Sequence, residues 1–453
     1  MRRPYRLGLP LLVVALLGLL AACGGGGDTE APAVTGLETN FDVTPRENVT
    51  MLDEDTVEDR IVSADPAAGE YRFESGTDLG DATVGQPIVI PGKGFGIVRE
   101  VVEDGDQVVL RVDEATLGDV IQDGTAEWQY DVSWSDFDVT YEELAALPGV
   151  TSVEIVRGTD TGGFQDIAYQ TPTPRKITIK FTRSNWEFIL EIEPKDGKLN
   201  YKITGSLRAA NQTVASVSGV GWVSGFSYSS LLEYSDGTPS SMTTEINGIQ
   251  GEMEIKWAAF RTPNVAISQI VRVNVPLAMP IPIPGPFGIP FVLQLKMAGR
   301  IVPELTADQS SSGGSWKVTY SSDQGFNVEE SAGSATGSLK SENIDTSGET
   351  VTAGYGPAGF GVGLEFPRFE LGVAGLQPFA FITVDMYSTS LWTPGTTLTS
   401  DIPPCQYGYT KLSAVAGYQL QILGWGGLTD QYTLWEKQLN KYLDGKECTL
   451  TGD

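Results

Sequence analysis

Fifty-eight carboxylates and no histidine define the chemistry open to this 453-residue chain. Without imidazole there is no Ser-His-Asp or Cys-His nucleophile, no His-ligated zinc or haem, and no imidazole pH switch. Two carboxylates can cleave a glycosidic bond unaided by histidine, yet no spacing singles out two of the 58. The runs Asp53-Glu54-Asp55 and Asp104-Gly105-Asp106 offer oxygen ligands for calcium. Neither has the spacing of an EF-hand loop, so no metal and no cofactor is expected. Trp222, Phe226 and Tyr228 alternate on a candidate strand and would present flat faces to a sugar or another ligand. Tryptophans of a β domain more often pack in its core or rim.

Three short motifs fail on context. Asp160-Thr161-Gly162, with a weaker echo at Asp345-Thr346-Ser347-Gly348, resembles the triplet of aspartic proteases, but neither follows the apolar strand that a shared-proton pair needs. Pro91-Gly92-Lys93-Gly94-Phe95-Gly96 lacks the Gly-Lys-Ser/Thr ending of a phosphate loop and runs into a strand, not a helix. No serine sits in a Gly-x-Ser-x-Gly elbow. No catalytic residue is assigned.

The N-terminus carries the most specific signal. Arg2, Arg3 and Arg6 precede a mostly apolar stretch from Leu7 to Leu20, and Leu20-Ala21-Ala22-Cys23 closes it. The stretch is too short for a membrane span and reads as a secretory signal over residues 1–22. Leu20-Ala21-Ala22-Cys23 resembles the lipobox of bacterial lipoprotein precursors. The resemblance implies cleavage before Cys23 and acylation, palmitate included, of that residue; several acyl chains together anchor a protein stably. Gly24, where an Asp would mark inner-membrane retention, implies the outer membrane. The alternative is an ordinary secretory signal with a cysteine at its cleavage site. With Cys23 lipidated, Cys405 and Cys448 remain. In an exported chain they most simply form a disulfide, contributing about 4 kcal/mol on the chain-entropy model; two separate buried thiols are the other possibility.

Charge narrows the partners. The net charge of −28 becomes −31 once the three leader arginines are removed. Such a surface repels phosphate backbones, so nucleic acid is excluded as a partner. The membrane is reached through the lipid anchor, and protein partners are not identified.

These features must be carried by an all-β body of antiparallel sheets, as a sandwich, clam or open barrel. Residues 23–54 read as a Gly-rich flexible tether and 55–135 as a small acidic β module. Residues 136–175 read as a connector with a short helix at Tyr141–Leu147, and 176–453 as a large antiparallel β domain. Asp104-Gly105 between Val-rich runs signals a hairpin, and Lys176 to Ile203 a three-strand meander with one apolar face. Asp236-Gly237 and Asn247-Gly248 mark turns. Val275 to Phe291, with six prolines, predicts an apolar sheet edge or a long loop. Ser310 to Thr352 reads as an insertion or weak exposed strands. Tyr432, Trp435, Leu439 and Tyr442 have helical spacing, predicting one C-terminal amphipathic helix over Leu428 to Leu443.

The function expected is that of a lipid-anchored envelope protein with a structural, adhesive or ligand-binding role. The alternative is a carrier of lipid or another apolar ligand in a β-built cavity, its mouth lined by the Pro-rich run and by the Gly-rich run Gly354 to Gly375. A carboxylate-dependent hydrolase ranks behind both.

Overall fold

The computed structural model describes residues 37–134, 141–157, 174–209, 212–261, 270–305, 308–329, 332–345, 351–353, 358–393, 405–425 and 429–442. Cys23, Cys448 and the Asp160-Thr161-Gly162 triplet lie outside them. The described residues are mostly antiparallel strand, as the alternation predicts.

In chain order the first strands are β1 (Glu38–Pro45), β2 (Thr50–Met51), β3 (Ile61–Asp65), β4 (Glu70–Glu74), β5 (Pro87–Ile90), β6 (Gly94–Asp104), β7 (Gln107–Asp113) and β8 (Ile121–Val132). Strands β2 to β7 form a six-stranded sheet with its own core of Tyr71, Phe73, Ile88, Ile90 and Leu110. Helix α1 (Glu54–Arg60) packs Val57 into it and is capped by Asp53, whose carboxylate accepts from the Thr56 amide at 3.0 Å. Asp53 and Asp104 thus have structural employment: Asp104 ends β6 at its hairpin turn and pairs with Arg72 at 3.2 Å. The module spans 50–113, narrower than expected, because β8 turns Ala126, Trp128, Tyr130 and Val132 into the main core. Within the segment read as tether, β1 pairs with β8 from Glu38 onward, and Phe41 and Val43 pack on the main core.

Next come α2 (Tyr141–Ala145), β9 (Val150–Arg157), β10 (Pro174–Arg183), β11 (Trp186–Lys195), β12 (Lys198–Ala209), β13 (Gln212–Ser224), β14 (Phe226–Ser235) and β15 (Thr238–Phe260). The meander β10-β11-β12 forms as read, with Phe181, Trp186, Phe188, Leu190 and Ile192 on its buried face. Strands β13 and β14 lie end to end along β15, forming one long hairpin. Asp236 and Gly237 turn it with φ of 52° and 70°, the left-handed pair that a tight hairpin requires. Asn247-Gly248 is not a turn: it is a bulge inside β15, where the register to the neighbouring strand slips between Ile246 and Ile249.

The rest of the body consists of β16 (Val271–Pro284), β17 (Pro290–Leu305), β18 (Ser311–Glu329), β19 (Ala332–Asp345), β20 (Val351–Ala353), β21 (Ala358–Val373), β22 (Ala380–Thr393), β23 (Cys405–Gln419) and β24 (Thr429–Tyr442). The Pro-rich run is the sheet edge: β16 pairs with β17 alone, where missing N–H groups cost no inner ladder bond. The Ser-rich stretch divides in two: β19 pairs with β18 alone and is largely exposed, as read, whereas β18 is a core strand. Strand β18 runs along the whole of β15 and buries Trp316, Val318, Phe326 and Val328.

The C-terminal helix is not found; residues 429–442 are strand β24, paired to β23. The register slips between the partners of Ala414 and Val415, leaving Leu434 as an extra residue. This bulge makes the step from Tyr432 to Trp435 three residues, and two ordinary alternations make the step to Leu439 four. Spacings of three and four are those of a helix, which is why the pattern misleads.

Two sheets share the main core. A 12-stranded sheet contains β1, β8 to β15 and β18 to β20, and a six-stranded sheet has the order β16-β17-β21-β22-β23-β24. The sheets meet through rings such as Phe226 and Phe369, centroids 4.5 Å apart, and Tyr201 and Phe366 at 4.7 Å. A hydroxyl chain also crosses between them. Trp257 Nε1 donates to Ser312 Oγ at 3.1 Å, Ser312 meets Thr352 at 2.9 Å, and Thr352 meets Ser390 at 2.5 Å.

Candidate functional site

The aromatic trio does not share a face. Val223 and Phe226 both enter the core, so Gly225 between the strands inverts the alternation. Phe226 is 6 % exposed and Tyr228 1 %, leaving neither ring available at the surface. Trp222 points to the other side of the sheet, its ring covered by the Lys198 ammonium at 3.5 Å. A sugar platform on these three residues is therefore corrected. Among the described residues no group of His, Cys, Asp or Glu has metal-binding geometry.

The six-stranded sheet holds the arrangement that sequence reading missed. One cleft of about 440 Å³ is lined from every one of its strands, from Arg272 on β16 to Gln431 on β24. Opposite edges reach the same cleft, so the sheet is curled into a trough with its solvent face inside. On β21 that face reads Gly359, Gly361 and Gly363, alternating with the core residues Phe360, Val362 and Leu364. A Cβ on Gly361 would lie 2.2 Å from the Tyr387 hydroxyl, and one on Gly363 2.7 Å from Arg300 Cγ. The glycine lane therefore lets Tyr387 and Arg300 lie across β21. The sequence signal was a Gly-x-Gly-x-Gly at period two, legible only once the run is known to be a strand.

Beside the lane stand Tyr387, Tyr409 and Tyr407, all half-buried. Tyr387 and Tyr409 meet edge to face at 6.2 Å, and Tyr407 stacks on Tyr409 at 6.3 Å. The Arg300 guanidinium sits 4.4 Å from the Tyr387 ring centre, and Arg368 sits 4.1 Å from that of Phe381.

Ion pairs hold the trough floor. Glu370 accepts from Lys296 Nζ at 2.5 Å and Arg368 Nε at 2.6 Å, while Arg368 also donates to Glu365 at 2.6 Å. Burial pushes the Glu370 carboxyl up, but the hydrogen bonds and charges of Lys296 and Arg368 outweigh it and hold it below the usual range. The same carboxylates keep Arg368 firmly charged against its own burial. Asp385 goes the other way. Burial raises it, the Arg300 contact at 3.2 Å pulls it down only in part, and Glu365, directly opposite on β21, raises it further. The cleft lining carries Arg272, Arg300 and Arg368 against Glu365 and Asp385. That is a net positive floor in a chain of net charge −28.

A larger trough of about 720 Å³ crosses the outer face of the 12-stranded sheet between β10 and β15, rich in hydroxyls from Thr204, Ser206, Ser216 and Ser218. Its Arg208–Glu187 contact at 3.9 Å is exposed, and no buried charge organises it. Chemistry favours the smaller cleft over the roomier one. Between the sheets, voids of about 10 Å³ (near Tyr228) and 30 Å³ (near Ile255) are of water size, not of ligand size. No family model, no curated protein and no solved structure matches this chain.

Proposed function

We propose that this is a lipid-anchored envelope protein, tethered at Cys23 to the outer membrane, that binds a ligand without transforming it in the trough of its six-stranded sheet. One observation carries the reading: a positive, tyrosine-flanked cleft, with Glu370 compensated by Lys296 and Arg368, on an otherwise acidic body. Compensated charges on rigid strands hold their positions before a ligand arrives, which lowers the cost of binding. Among the described residues the voids near Tyr228 and Ile255 fall far short of the roughly 300 Å³ of a ligand-sized cavity, which favours this over a lipid carrier. Cys23→Ser should release the protein from the membrane fraction of its host. That soluble form should then bind an envelope saccharide, and Tyr409→Ala should weaken the binding about tenfold, as loss of one aromatic face implies. Unchanged fractionation defeats the anchor; binding indifferent to Tyr409 defeats the site.

A carboxylate-dependent hydrolase is the second reading, favoured by one feature: Glu365 and Asp385 face each other across β21 and β22. Their ties to Arg368 and Arg300 favour binding instead. Turnover abolished by Asp385→Asn with binding intact would reverse that preference.

A further inference from the structure

The two arginines at the rim of the trough do not suit each other. Arg272 on β16 and Arg300 on β17 are direct register partners, both exposed, and both line the same cleft. Like charges directly opposite on neighbouring strands destabilise a sheet. Arg300 has Asp385 as a partner, whereas Arg272 forms no ion pair among the described residues. An anion seated between the two guanidinium groups relieves that repulsion and takes charge-assisted hydrogen bonds from both.

The surroundings describe the remainder of the ligand. Asn274 and Gln431 supply neutral hydrogen-bonding groups on the cleft wall, while the buried Thr383 hydroxyl donates to the Pro367 carbonyl at 3.2 Å. Tyr387, Tyr409 and Tyr407 extend from the Arg300 side as a row of half-buried rings. A planar carboxylate at one end with hydroxyl-bearing rings at the other is the chemistry of an acidic sugar. We infer that the trough binds an oligosaccharide of uronic acids, with one carboxylate bridged by Arg272 and Arg300 and neighbouring rings lying along the tyrosine row. This rests on the reading of the trough as a binding surface and names its ligand class. The acidic body repels a polyanion, and the positive lining of the trough offsets that repulsion locally, within a screening length of about 8 Å at physiological salt.

The test uses the mature chain carrying Cys23→Ser, titrated calorimetrically at physiological salt with an oligomer of galacturonic acid, with its full methyl ester, and with inorganic phosphate. The acid should bind at least tenfold more tightly than the ester, which keeps the shape and loses the charge. Arg272→Gln, at an exposed edge position, should cost the acid about tenfold and leave the ester unaffected, the worth of a charged hydrogen bond. Equal affinity for acid and ester, or an Arg272→Gln protein that binds the acid as before, overturns the inference while leaving the trough a saccharide site. Phosphate competing as strongly as the oligomer also overturns it, in favour of a bare anion site. No binding of either saccharide defeats the inference and the underlying reading together.

Discussion

Replacing Glu370 with Gln removes the carboxylate on which the trough floor depends. The side chain is 8 % exposed and accepts from Lys296 at 2.5 Å and Arg368 at 2.6 Å. Removing one partner of a buried pair costs about 3–5 kcal/mol, because the remaining charge is left uncompensated. Lys296 is 37 % exposed and Arg368 25 %, so both regain some water, and Arg368 keeps Glu365. The expected loss is therefore at the low end, about 3 kcal/mol. With a urea dependence near 3 kcal/mol per molar, fitting for a large domain, the unfolding midpoint should fall by about 1 M. The pH dependence has a definite sign. A carboxyl held low in the folded state stabilises the protein above its unfolded value, about 4.3, and that stability is lost as pH falls through the folded value. The gap between wild type and Glu370→Gln should be full at pH 7 and close in acid below pH 4. A midpoint shift under about 0.3 M at pH 7, or a gap that does not narrow in acid, refutes the compensated-floor argument.

Other substitutions probe separate parts of the account. Gly361→Val should push Tyr387 off the glycine lane, costing about 1–3 kcal/mol by overpacking and at least tenfold in saccharide affinity, measured by urea unfolding and calorimetry. Trp435 is buried in β24 and its indole N–H has no partner among the described residues, so Trp435→Ala should cost about 3 kcal/mol and Trp435→Phe under about 1.5. A helical 429–442 segment would instead show its slowest amide exchange on a four-residue ladder, not opposite β23. Peptide mass mapping without reductant should recover Cys405 linked to Cys448, and reduction should lower stability by up to about 4 kcal/mol.

Where the apolar pattern and the turn chemistry agree, the sequence suffices to place strands. The β10-β11-β12 meander, the Asp104-Gly105 hairpin and the Pro-rich edge all follow from alternation, left-handed turn residues and missing amide donors. Bulges defeat it. Leu434 turns an alternating strand into an apparent helix, Gly225 puts Trp222 and Phe226 on opposite faces, and Asn247-Gly248 imitates a turn inside β15. Each adds one residue to a two-residue period, and no local rule says which residue is extra. The trough was illegible for another reason: Arg272, Arg300, Glu365, Asp385 and Gln431 come together only through register across six strands.

Hydrogen–deuterium exchange of the mature Cys23→Ser chain, with and without the galacturonic acid oligomer, puts the binding surface to the most direct test. Protection should be confined to peptides of β16, β17 and β21 to β24, and at a fixed, subsaturating ligand concentration it should weaken in Arg272→Gln. Protection on the outer face of the 12-stranded sheet instead, or none at saturating ligand, would contradict a binding trough in the six-stranded sheet.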